Sequence, residues 1–147
     1  MAFHFSLEPV LRLRVSYERL ERLRLLAIAA MRVRVREEIT AAAREEAAAR
    51  NAKCEMLSAG AAAAELQMSV AAEKSRARRN RELAEKLAAI ERQHVKQSRA
   101  YQLARQKRQI VERLREIRLR EYQREQDRRQ QQILDDLYSM RLFLPSE

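Results

Sequence analysis

Glycine, proline, cysteine, histidine and tryptophan are nearly missing from this chain of 147 residues, which has Gly 1, Pro 2, Cys 1, His 2 and Trp 0. One glycine and two prolines cannot supply the turns of a compact fold of many short elements. The one thiol, Cys54, cannot close an intramolecular disulfide, which fits a reducing compartment. His4 and His94 stand far from each other and from any Cys at ligand spacing, so no metal site is expected. Neither lies beside a Ser or Cys in a way that suggests a nucleophile, and no Gly-rich phosphate loop is present. The acidic pair Asp135-Asp136 would point ~100° apart on a helix, which does not suit paired acid–base work. The chain is therefore read as non-enzymatic, without cofactor, metal or small-molecule substrate.

Long hydrophobic runs are also missing. No window reaches the ~18 uncharged apolar residues of a membrane span, and Met1 to Glu8 lacks the basic start and apolar stretch of a signal peptide. The expectation is a cytoplasmic protein. Aromatic residues make up only 5% of the chain, and much of its 46% hydrophobic content is Ala, which favours helix but buries little area. Any core is a thin seam.

What is present is charge on helix-forming residues. Charged side chains make up 35%, and the net charge of +10 with a pI near 10.6 attracts anionic partners without identifying them. From Arg81 to Leu144, about nine heptads, there is no Gly or Pro. One helix of that length would extend roughly 90 Å and needs another helix to cover its apolar side. The composition is that of a coiled coil.

Phe3, Phe5 and Leu7 alternate with polar residues, either as a lid folded on the helix start or as an anchor for a partner. Ser6 is the expected N-cap, with Glu8 and Pro9 in the first turn. Val10, Leu13, Tyr17 and Leu20 then have seam spacing, flanked by an Arg-rich surface that includes Arg12, Arg14, Arg19 and Arg22. After Ile39 the seam is largely Ala, and this part is expected to open more easily than the Leu-rich ends.

Gly60 marks the expected reversal. Helix 1 is placed at about 7–57, the turn at about 58–61 and helix 2 at about 62–144, giving an all-α fold: one long antiparallel two-helix coiled-coil hairpin. Leu83, Leu87 and Ile90 form a seam, followed at the regular positions by His94, Gln97, Tyr101 and Ala104. Leu103, Ile110 and Ile117 then suggest a heptad displaced by one residue. Pairing about Gly60 sets Leu20 opposite about Tyr101 and Phe3 opposite about Ile117, leaving Leu119 onward as an overhang. That overhang is polar from Glu121 to Gln132 and ends in an apolar tip from Ile133 to Leu144, with Pro145 closing it.

Arg76 to Arg81, followed by Leu83 and Ile90, has the outline of a basic leucine zipper, but Gln97 and Ala104 interrupt the seam. Nucleic-acid binding through phosphates, and a generic dimerising scaffold, stand as alternatives from other classes. The two ends together resemble the FliJ family of flagellar type III export, whose relatives serve virulence secretion systems. The matching features are Phe3-x-Phe5-x-Leu7-Glu8-x-Val10-Leu11-x-Leu13-Arg14, Gly60 with Ala64-Glu65-Leu66-Gln67, Lys107-Arg108 to Leu114, and Tyr122-x-x-Glu125-Gln126 to Leu134-Asp135-Asp136.

That resemblance implies a stalk inserted into the hexameric export ATPase, contacting the cytoplasmic domain of the export gate and escorting export chaperones at the inner face of the inner membrane. It implies ATPase binding through Phe3, Phe5, Leu7, Leu11, Arg12, Arg14, Lys107, Arg108, Leu114, Leu134, Asp135 and Asp136. Gate binding would fall to Leu66, Val70, Ala72 and Arg76, where family members often carry aromatic or large apolar residues.

Overall fold

Gly60 adopts φ 79, the left-handed conformation that ends a helix. Around it the Ala61 amide donates to the Met56 carbonyl at 3.1 Å and the Gly60 amide to that of Leu57 at 3.4 Å. This pair of bonds satisfies the last carbonyls of the first helix. On the far side, the Glu65 carboxylate accepts from the Ala62 amide at 3.2 Å and so covers a free donor at the start of the next helix. The computed structural model describes residues 3–143, with side chains for 3–140. It contains α1, Glu8–Ser58 (51 residues), and α2, Ala63–Phe143 (81 residues), and no strand among the described residues. The fold is an all-α helical hairpin. The helix end expected at 144, and its closure by Pro145, lie outside the described residues.

The chain divides into two units, one of Leu20–Tyr101 and one of Met1–Arg19 with Gln102–Glu147. In the first, the turn unit, Leu25, Ile28, Arg32, Val35, Ile39 and Ala42 of α1 follow a three-four rhythm against Leu83, Leu87 and Ile90 of α2. Val35 is the most enclosed, with 2% of its surface exposed. Register is held at the edges by Lys53–Glu73 at 2.7 Å, Arg36–Glu91 at 3.1 Å and Arg79–Glu45 at 3.4 Å. Asn80 Nδ2 donates to Glu46 at 3.0 Å, and Gln97 Nε2 donates to both the carbonyl and the carboxylate of Glu21. Leu20, expected in the seam opposite Tyr101, is exposed, whereas Tyr101 is half-buried.

In the second, the terminal unit, α1 begins one turn after Phe5, whose carbonyl accepts from the Glu8 amide at 3.1 Å. That backbone bond closes the entry, and Ser6, expected as the cap, makes no side-chain bond among the described residues. Phe5 is buried and Phe3 packs on Tyr122, ring centroids 5.6 Å apart and planes inclined by 54°. Phe5 is thus part of the core and Phe3 packs against α2, so neither ring stands out as a fully exposed anchor. Phe3 was expected near Ile117, so cover on α2 reaches further than anticipated. Leu119 and Tyr122 are half-buried, and continuous exposure begins at Asp127.

Two seam assignments made from the sequence are corrected here. Val10, Leu13 and Tyr17 do not face α2; they are exposed, and the inward positions are Leu11, Arg14 and Glu18. On α2 the displaced heptad of Leu103, Ile110 and Ile117 is likewise exposed, while Ala104, Arg108 and Val111 keep the undisplaced rhythm. The reason lies in the inner pairings. Leu11 is buried and Glu18 binds Arg108 across the seam, so turning the neighbouring apolar stripe inward would expose one and break the other.

Candidate functional site

The terminal unit gathers most of the expected binding residues, though in unequal states. At its centre Arg108 donates from Nε to Glu18 and from Nη1 to Glu112. The Glu18 hydrogen bond, helped by Coulomb attraction from both carboxylates, holds the Arg108 pKa above its ordinary value. With only 21% of the Arg108 side chain exposed, this guanidinium is a clamp within the hairpin and not a free cation for a partner. A second clamp, Arg115–Glu8 at 3.2 Å, lies near the helix entry.

Phe5 and Leu11 are buried and Phe3 is half-buried, so these three build the unit and present little surface. Leu7, Arg12, Lys107 and Leu114 are exposed, and Arg14 is half-buried. Phe3, Phe5, Glu8, Pro9, Arg12 and Arg115 line a shallow groove at the entry. Leu134, Asp135 and Asp136 are not brought to this cluster. They lie on α2 some twelve residues past Tyr122, about 18 Å further along the helix axis.

That continuation of α2 is held by its own ion pairs, Arg129–Glu125 at 3.1 Å and Arg128–Glu125 at 3.9 Å. It carries Ile133, Leu134, Leu137, Tyr138 and Met140, all exposed. Asp135 is engaged within the helix, accepting from the Gln131 side chain at 3.3 Å, and its carbonyl accepts from Ser139 Oγ at 2.9 Å. Asp136 is exposed. The tip is an apolar surface on a single helix whose preceding turns are polar.

In the turn unit, Leu66 and Arg76 are half-buried, and Val70 and Ala72 are exposed. Arg76 lines a groove with Glu46, Arg50, Lys53 and Glu73, so its surroundings are of mixed charge. Glu73 is held below the ordinary carboxylate range, chiefly by its hydrogen bond to Lys53 and by the attraction of that ammonium.

Residues that sequence reasoning placed in the seam are the ones it missed as surface. In the terminal unit Leu13 is 54% and Ile110 is 67% exposed, with Val10, Tyr17, Leu103 and Ile117 also open. The signal was present as a second apolar stripe beside Leu11 and Val111, but periodicity alone does not say which stripe faces inward. No group of His, Cys, Asp or Glu among the described residues could hold a metal ion, and no described helix is long and apolar enough to cross a membrane. Neither family models, curated proteins nor solved structures give a match to this chain.

Proposed function

We propose that this chain is a non-enzymatic central stalk of a flagellar type III protein export apparatus, entering the hexameric export ATPase and linking it to the export gate. The observation that supports this most is the terminal unit itself: α2 runs on past the aromatic closure at Phe3 and Tyr122 and presents an apolar tip that nothing among the described residues covers. A helix with Ile133, Leu134, Leu137, Tyr138 and Met140 bare is suited to a pore lined by other chains. The exposed cations Arg12 and Lys107 near the unit's closed portion would meet acidic surface around that pore. Escort of export chaperones and attachment at the inner face of the inner membrane belong to the same reading. Gate contact would fall to the exposed Val70 and Ala72.

The test is addition of the purified chain to its cognate export ATPase. Ring assembly and hydrolysis should both rise, and Leu134→Glu with Leu137→Glu should abolish the rise while helicity by circular dichroism is kept. No response to the unaltered chain would sink the proposal. Arg12→Glu with Arg14→Glu should weaken ring binding in the same assay, and unchanged affinity would mean that neither arginine meets the ring.

A further inference from the structure

The terminal unit carries a second unpartnered surface, on its flank and away from the tip. On α1 it consists of Val10, Leu13 and Tyr17, and on α2 of Leu103, Ile110, Leu114 and Ile117, all exposed. Each stripe has the three-four spacing of a coiled-coil seam. Each also lies one residue before the seam its helix actually uses, Val10 before Leu11 and Ile110 before Val111. The helices are antiparallel in this unit, as Glu18–Arg108, Glu8–Arg115 and Phe3–Tyr122 require. A step of one residue towards the N-terminus rotates each helix's surface by ~100° in opposite senses for opposed axes, which brings both stripes to the same face of the pair. The result is an apolar groove two helices wide.

In the turn unit the same positions of α2, Arg79, Glu82, Lys86, Gln93 and Lys96, are exposed and polar, apart from Ala89. Although α1 still exposes Leu20 and Met31 there, only the terminal unit carries large apolar stripes on both helices. The charges along the groove are cationic, and the one carboxylate in line with the α2 stripe, Glu121, stands at its far end. Lys107 interrupts the α2 stripe, Arg113 borders it outside, and Arg14 lies between the helices. No carboxylate forms an ion pair with any of these three among the described residues, whereas Arg118 at the far end is bonded to Glu121 at 3.4 Å.

We infer that this face is a docking site for an amphipathic helix of another protein, apolar on one side and flanked by Asp or Glu, which completes a three-helix bundle. Charge selects that occupant. A second copy of this chain would set Arg14, Lys107 and Arg113 against their equivalents, and like charges brought together oppose association. An acidic helix would pair them and cover both stripes with one set of a and d residues. The face shares Arg14, Lys107 and Leu114 with the expected ring contacts, but the two residues on which the test turns, Leu13 and Ile110, belong neither to those contacts nor to the tip, so the inference can fail independently of the stalk reading.

The experiment uses the full chain and a fluorescent designed peptide of about three heptads, with Leu and Ile at a and d and Glu at the flanking positions. A control peptide carries Lys in place of Glu. Anisotropy should show saturable binding of the Glu peptide, at least about tenfold tighter than the Lys peptide, and Leu13→Asn with Ile110→Asn should weaken it at least about tenfold. Both substitutions are at exposed sites, and circular dichroism checks that the helices persist. Absence of binding, equal binding of both peptides, or full binding by the double variant would overturn the inference. So would sedimentation showing a dimer of the unaltered chain that the double variant dissociates, since the groove would then be filled by a second copy.

Discussion

The turn unit and the terminal unit are built from the same two helices, yet they place their large apolar side chains differently. In the turn unit Val35, Leu83 and Ile90 are buried between the helices, so the apolar rhythm and the contact surface coincide at these positions, although Leu23, Leu26, Met31, Val33 and Val95 remain exposed. In the terminal unit the contact surface includes Arg14, Glu18, Arg108 and Glu112, while Val10, Leu13, Ile110, Leu114 and Ile117 face outward. Burial of apolar area stabilises a pair by about 25 cal/mol per Å², and in the turn unit Val35, Leu83 and Ile90 supply it beside the Ala-rich stretch expected to open more easily. The terminal unit instead relies on Phe5, Leu11, the Phe3–Tyr122 contact and its clamps, and keeps apolar surface available to others. A two-helix hairpin has too little interior to bury every apolar residue, and here the distribution differs along its length.

The sharpest way to break this comparison is to remove one large side chain from each unit. Leu83→Ala should cost about 3 kcal/mol by urea unfolding, since it empties a buried seam position. Leu13→Ala, at an exposed site, should change stability by less than about 0.5 kcal/mol. Comparable losses at the two positions would mean that the Leu13 stripe of α1 is covered in solution. Next in size is the clamp. Arg108→Ala leaves Glu18 and Glu112 without their shared partner and should destabilise the terminal unit by about 1–2 kcal/mol, read from amide exchange near Glu18.

Gly60→Ala tests the reversal in the turn unit. A Cβ there would meet nothing within 4 Å, so its cost is that of the left-handed backbone alone, about 1 kcal/mol in thermal or urea unfolding. The smallest effect concerns pH. Glu73 has its pKa lowered by Lys53, so the stability it contributes is present above the unfolded glutamate value of about 4.3 and is lost as pH falls through the lower folded value. Glu73→Gln should remove that acid component from a stability profile measured across this window. An unchanged profile would assign the Lys53–Glu73 pair to solvent screening.

Much of the hairpin was legible in residues. The single glycine marked the reversal because it alone takes φ 79 without a steric cost. The long helices followed from the scarcity of Gly and Pro, and the Leu83, Leu87 and Ile90 seam from its spacing. The terminal unit was less legible, because α1 offers neighbouring stripes one residue apart. One contains Val10, Leu13 and Tyr17, and the other contains Leu11, Arg14 and Glu18. Hydrophobicity favours the first, and only the partner helix shows that the second faces inward.

The sequence by itself determined the helical class, the place of the turn and the basic, thinly cored character of the protein, because these depend on local backbone preference and composition. The tertiary structure alone decided which stripe is interior and which is surface, that Phe5 is core, that Arg108 is a clamp, and that α2 stays covered as far as Tyr122. The physical reason is that a heptad pattern fixes the spacing of a seam along one helix but not its phase around it. Phase is set by the pairings across two helices far apart in the chain, and in the terminal unit those are Glu18 with Arg108 and Phe3 with Tyr122.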